Sequence, residues 1–103
     1  MAKQQKIGKL GEDIVCQFLI NLGYRILERN WRYSKAEIDI IAMDGNILTF
    51  IEVKAKSYTF FGDPEESVSA YKERLIIDAA NRYMSLIGHN WEIRFDIVSV
   101  LFD

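Results

Sequence analysis

Apolar residues return at three- and four-residue steps over residues 6–22. This predicts a helix whose core face carries Ile7, Leu10, Gly11, Ile14, Phe18 and Leu22. Gly11 within that face predicts close packing against a neighbour, and Gly23 directly after Leu22 marks the stop. The pattern then changes to short apolar runs. Residues 24–28 and 38–43 read as strands, and residues 30–35, polar and aromatic without a clear period, read as a turn or loop. Asp44-Gly45-Asn46 predicts a tight hairpin turn, with residues 47–53 as the returning strand. Both strands of this hairpin are apolar on both faces near their centres, as in a sheet covered on two sides.

Residues 55–63 read as a loop bearing Tyr58, Phe60 and Phe61, suited to a flap or a dimer contact. Asp63-Pro64-Glu65-Glu66 is a strong helix start, with Asp63 as cap, Pro64 in the first position and Glu66 closing a capping box. That helix runs to about residue 87. Val68, Tyr71, Leu75, Ala79, Arg82 and Leu86 lie near one another on it, beside a stripe of Ile76, Ala80, Tyr83 and Ile87. Gly88-His89-Asn90 ends it. Residues 91–101 form the last strand, where Trp91, Ile93, Phe95 and Ile97 alternate with Glu92, Arg94 and Asp96. The order helix, three strands, helix, strand predicts an α/β sandwich: a central mixed sheet with helices packed on it, in a single domain spanning residues 1–103.

A chain of 103 residues suffices for one core, and a domain of this size gains from oligomerisation. With only Cys16, an internal disulfide is impossible, which suits a reducing cytoplasm. No secretory leader and no 18-residue apolar run are present, so neither export nor a membrane span is expected. The net charge of -2 argues mildly against nucleic acid, but the charge is unevenly placed. Residues 1–35 hold seven Lys and Arg against three acids, and residues 36–103 hold six against twelve. The first third can supply phosphate contacts, and some acids of the remainder can be metal ligands. No Cys/His cluster offers a zinc site, and no glycine-rich phosphate loop is present. Cys16 has no obvious base, and His89, alone near a helix end, reads as a surface or capping residue.

The sharpest feature is Glu37-Ile38-Asp39 followed, thirteen residues after Asp39, by Glu52-Val53-Lys54. Alternation puts Glu52 and Lys54 on one strand face. With Gly45 as the hairpin pivot, paired positions sum to about 91, so Asp39 falls close to opposite Glu52. Two carboxylates facing each other on apolar strands repel, and burial raises the cost of each charge. A divalent cation resolves both problems, and oxygen donors suit Mg²⁺ or Mn²⁺. The Val53 carbonyl can add a ligand, and Lys54 can orient or deprotonate an attacking water, or neutralise charge on a phosphoryl group. Glu12, at the edge of the first helix's apolar face, can reach the same site. Lys72, among residues of the second helix that should face the sheet, can hold a phosphate there, and Glu37 is a weaker member of the set. The same spacing also fits an ordinary Glu52–Lys54 ion pair, with Asp39 paired to Lys54 or Arg25.

Gly11-Glu12, Tyr24, Arg29-Asn30-Trp31-Arg32, Glu37-Ile38-Asp39-Ile40-Ile41-Ala42, Phe50-Ile51-Glu52-Val53-Lys54, Gly62, Lys72 with Arg74, Ala79-Ala80, Tyr83 and Arg94-Phe95-Asp96 together resemble the bacterial YraN family, also called UPF0102. The resemblance runs over roughly residues 7–100. Ala36, where the family usually has Gly, and Ala55-Lys56, where Thr-Arg is common, depart from it without removing a proposed ligand. That family is similar to archaeal Holliday-junction resolvases and to restriction-endonuclease-like nucleases. The resemblance therefore implies a restriction-endonuclease-like core, with Asp39, Glu52, Lys54 and Glu12 as the site and Lys72 in support. It implies a metal-dependent nuclease acting on DNA, branched DNA included; Mg²⁺ or Mn²⁺ is the expected ion and no small-molecule cofactor is expected, and a homodimer would suit a branched or two-fold substrate. Arg25, Arg29, Arg32, Lys35 and Lys56 are then phosphate contacts, and Trp31 and Tyr33 either stack on unpaired bases or pack within the protein. The alternative is a non-catalytic nucleic-acid-binding or assembly protein that keeps the fold.

Overall fold

The computed structural model describes residues 2–57 and 70–102. In chain order they form α1 (Ala2–Asn21), β1 (Arg25–Tyr33), β2 (Ala36–Asp44), β3 (Ile47–Ser57), α2 (Ala70–Ile87) and β4 (Ile93–Phe102). One sheet carries all four strands in the order β1-β2-β3-β4. β1–β2 and β2–β3 are antiparallel across two-residue turns, whereas β3–β4 is parallel and needs the long crossover that contains α2. The order and the mixed sheet are those the apolar pattern predicts. The predicted helix start at Asp63–Glu66, Val68, and the aromatic residues Tyr58, Phe60 and Phe61 lie outside the described residues. No helix among the described residues is long and apolar enough to cross a membrane.

The two helices cover opposite faces of the sheet. Val15 and Leu19 of α1 pack with Ile40, Ala42 and Ile51, while Ala79, Ala80 and Tyr83 of α2 pack with Ile38, Ile41, Leu48 and Phe50. Burial on both sides explains why β2 and β3 are apolar without a simple alternation. α1 ends where Gly23, at φ +98°, turns the chain left-handed. The Tyr24 N–H then donates to the Leu19 carbonyl and the Gly23 N–H to that of Ile20, satisfying the last turn. α2 ends with the same two bonds, from His89 to Met84 and from Gly88 to Ser85.

Three details differ from the sequence expectation. The face of α1 on the sheet is the stripe of Gly11, Val15 and Leu19, spaced four residues apart, whereas Leu10, Ile14, Phe18 and Leu22 are exposed on the flank. The smallest residue sets the distance of closest approach. A Cβ added to Gly11 would sit 2.6 Å from the Ala55 Cβ, so the helix rests on β3 at this point and its larger side chains are turned aside. Gly11→Ala is accordingly expected to cost about 1–2 kcal/mol, the crowding outweighing the gain in helix propensity. The urea midpoint reads this, and an unchanged midpoint would show that the contact yields freely.

The second difference is β1, which continues through the stretch expected to be a loop, leaving only Ser34 and Lys35 as the turn. A register shift between Ile26 and Glu28 and a positive φ at Asn30 erase the alternation a strand normally shows. β3 likewise runs past the predicted end to Ser57. The third is His89, which is buried at 4% exposure instead of lying on the surface, although its N–H closes the end of α2 as the capping alternative expects. Its Nε2 lies 2.9 Å from the Glu92 carbonyl, and its ring rests 4.1 Å from that of Trp91. Trp91, outside β4, donates from Nε1 to the Asn46 carbonyl at 2.7 Å and so fastens the end of α2 to the β2–β3 turn.

Candidate active site

The β2–β3 ladder runs from Asp44↔Ile47 to Ile40↔Ile51, every pair summing to 91 as the hairpin pivot predicts. Among the described residues it ends there. β2 continues with β1 as far as Ala36↔Tyr33, and β3 continues with β4 as far as Ser57↔Phe102. The two strands thus part like the arms of a fork, with Asp39 and Glu52 one step beyond the last pair. An N–H at such a divergence loses its ladder carbonyl and needs another acceptor. Asp39 supplies it: its Oδ2 accepts from the Val53 N–H at 2.8 Å.

That bond fixes the Asp39 carboxyl in the fork, where burial pushes its pKa up to about 6. The Val53 N–H works in the opposite direction, and the charges of Glu12, Glu52 and Glu37 add to the rise. Carboxylates from α1, β2 and β3 therefore act on one point. Lys54 is held 3.3 Å from Glu52 Oε1, so the same-face ion pair suggested by the spacing is present inside this acidic group. Glu12 is half-buried on α1, 3.9 Å from Arg29 Nη2. Arg29 donates at 2.7 Å to Asp13, whose carboxyl it holds below the ordinary range. The two acids of α1 thus engage a cation expected from the sequence to contact phosphate.

A cleft of about 370 Å³ opens beside the fork. Asp39, Glu52, Glu73 and Asp96 stand on its walls, and Phe50, Ile76 and Phe95 supply apolar lining. Glu73 and Asp96 were not singled out by spacing, because they come from α2 and β4 and meet the fork only in the folded chain. A larger open cleft of about 460 Å³, between the β1–β2 turn and α2, carries Asp78 and Arg82 but none of the fork residues.

The remaining candidates are dispersed. Lys72 is exposed in the first turn of α2, one turn before Leu75 and Ile76 on the same side of the helix. Glu37 lines the cleft and is held by Arg32 at 2.8 Å. Arg25, Lys35 and Lys56 are exposed on β1, the β1–β2 turn and β3. Trp31 packs edge-on against Tyr83 with ring centres 5.1 Å apart, whereas Tyr33 stays exposed. Burial and the nearby Glu28 carboxylate raise the Tyr83 hydroxyl to about 12.

No three Asp, Glu, His or Cys side chains among the described residues are gathered closely enough to enclose a metal ion. The fork fits a different mode. Mg²⁺ dehydrates reluctantly and is commonly held by one or two carboxylates, with waters and substrate phosphates completing its shell. Asp39 and Glu52 are oxygen donors of that kind, and the upward shift at Asp39 marks a place where added positive charge is favoured.

Comparison with known proteins places the chain among relatives along nearly its full length. A family model described as "Uncharacterised protein family UPF0102" matches residues 11–100. A UPF0102 protein of Flavobacterium psychrophilum is 47% identical over 100 residues, covering 97% of this chain and 84% of that relative. A UPF0102 protein of Clostridium perfringens is 46% identical over 104 residues, covering 99% of this chain and 85% of the relative. One from Chlorobaculum parvum is 45% identical over 102 residues, covering 98% and 79%.

Proposed function

The chain belongs to the UPF0102 family, and for it we propose metal-dependent hydrolysis of phosphodiester bonds in DNA, branched or otherwise structured DNA among its substrates. The observation that carries this reading is the half-buried Asp39 in the fork, subject to three further carboxylates and one strand away from the Glu52–Lys54 pair. Bound Mg²⁺ or Mn²⁺ would supply the positive charge that draws in a phosphate and polarises it. Asp39 and Glu52 are the residues to hold that ion, with the Val53 carbonyl and Glu12 as further donors.

Each protein group has work that its position allows. The Val53 N–H orients Asp39, leaving its other oxygen for a ligand. Lys54, kept near the acids by Glu52, is placed to orient an attacking water or to neutralise charge developing on the phosphoryl oxygens. Glu37 and Lys72 support from the margins, Lys72 as a phosphate contact. Arg25, Lys35 and Lys56 are the exposed cations for the nucleic-acid backbone, with Arg32 beside them. Tyr33 is the exposed ring for an unpaired base. The single Cys16 suits a reducing, cytoplasmic setting.

The test is incubation of the chain with linear, flapped and four-way DNA in Mg²⁺, in Mn²⁺ and in chelator, alongside calorimetric titration of each ion. Cleavage in either metal and none in chelator is the expected result. That no three candidate ligands converge among the described residues favours a second reading, a non-catalytic nucleic-acid-binding or assembly protein. DNA binding without metal uptake or cleavage of any substrate would establish that reading and reject the first.

A further inference from the structure

Among the described residues β4 is the outer strand of the sheet beyond β3, and its second half breaks the usual protections of an edge. Outer strands are normally blunted by charge, proline or a bulge, because their unpaired N–H and carbonyl groups recruit another strand. From Ile97 to Phe102 the sequence Ile-Val-Ser-Val-Leu-Phe holds no charge and no proline, and its pairing with β3 is regular through to Ser57↔Phe102. On the α2 side of the sheet this edge exposes Ile97 at 61% and Leu101 at 65%. On the other side Val98 and Val100 pack against the core beneath α1.

The exposed flank of α1 extends the same patch. Glu12 and Asp13 reach toward Arg29 of β1, and Val15 and Leu19 point into the sheet. Leu10, Ile14 and Phe18 therefore lie on the opposite flank, toward β4, at 50%, 43% and 55% exposure. An uncharged edge is thus bordered above and below by large apolar side chains.

We propose that this edge is the interface of a homodimer, in which the 97–102 segment of β4 pairs antiparallel with that of a second copy about a two-fold axis. Antiparallel self-pairing is isologous, so the same patch serves both partners. An uncharged segment meets its own copy without opposing like charges, which argues for a second copy over a charged partner. The five exposed side chains amount to roughly 500 Å² of apolar surface per chain, and the edge backbone adds to it, approaching the roughly 800 Å² per partner of a stable interface. The two four-stranded sheets would become one of eight. On the nuclease reading, the two forks, each between β2 and β3, would then open on the same face, at least roughly 19 Å apart across four strand spacings.

Sedimentation equilibrium tests this without reference to activity, so its failure is separate from failure of the nuclease assay. The wild type is expected to sediment at twice the chain mass of 12.0 kDa. Leu101→Lys on the edge and Ile14→Glu on the helix flank each alter an exposed side chain. Each should weaken association at least about tenfold with unchanged far-UV dichroism. Amide exchange in β4 of the wild type should slow as protein concentration rises. A wild type that stays at 12.0 kDa at every concentration, or a dimer that either folded variant leaves intact, overturns the proposal.

Discussion

Glu52→Gln is expected to lower metal-dependent DNA cleavage by at least about a hundredfold while leaving the fold intact, the scale associated with losing a group that acts in the reaction. The substitution keeps the shape of the side chain and an oxygen facing Lys54, and removes only the negative charge. Glu52 is half-buried, and its place in β3 is fixed by the regular parallel pairing that includes Glu52↔Ile97, so the strand does not depend on the carboxylate. Single-turnover cleavage at saturating protein isolates the chemical step, and far-UV dichroism reports the fold. DNA affinity measured in chelator should be unchanged or tighter, since one negative charge is gone. Full cleavage activity in a folded Glu52→Gln chain would reject Glu52 as a metal-holding residue. Lys54→Met provides the complementary test, because it removes the cation but leaves both acids. It should slow cleavage strongly while calorimetric metal binding persists.

What the sequence revealed of this site was its local part. The hairpin turn at Gly45 and Asn46 sets the register, and from it follows the ladder in which every pair sums to 91. This arithmetic brings Asp39 and Glu52 together across twelve intervening residues. It does not reveal the fork, because parting of the strands depends on what each pairs with on its far side: β1 for β2, and β4 for β3. Nor does it identify the Val53 N–H as the partner of Asp39, since that bond exists only where the ladder has ended. The walls of the cleft raise the same difficulty. Glu73 and Asp96 come from elements far along the chain, and no spacing links either to the hairpin.

Helix α1 shows a second limit. Its apolar residues form two overlapping stripes, and periodicity weighs Leu10, Ile14 and Phe18 above Gly11 because they are large. The sheet selects the other stripe because only Gly11 permits contact at Ala55. The close packing expected from Gly11 was thus correct, whereas the face assigned around it was displaced by about one residue. The large side chains left outside are those the proposed dimer would cover. In β1, by contrast, the register shift after Ile26 and the positive φ at Asn30 removed the alternation on which recognition of a strand depends.

Asp39→Asn is expected to abolish metal-dependent activity and at the same time make the chain more stable at neutral pH. The Asp39 carboxyl has a pKa of about 6 in the folded chain against an ordinary value of 3.8, chiefly through burial. Below pH of about 4 the group is protonated in folded and unfolded chains alike and contributes nothing to pH dependence. Between about 4 and 6 the folded chain holds the proton and the unfolded chain does not, so stability falls as pH rises. Above about 6 the full penalty of a buried charge is present. Asparagine lacks that charge but keeps an oxygen to accept from the Val53 N–H. After discounting for partial exposure, the gain at pH 7 is about 1 kcal/mol, or roughly 4–8 °C in Tm for a domain of this size. Thermal unfolding followed from pH 4 to pH 8 should show a decline through about pH 6 in the wild type that is missing in Asp39→Asn. Mg²⁺ should then raise the wild-type Tm, because a cation bound only by the folded chain adds stability, and should leave the variant unmoved. If Asp39→Asn were less stable than the wild type at pH 7, the ionised carboxylate would be contributing more through its bond to Val53 than burial takes away. The fork would then be a structural clasp, as the non-catalytic reading requires.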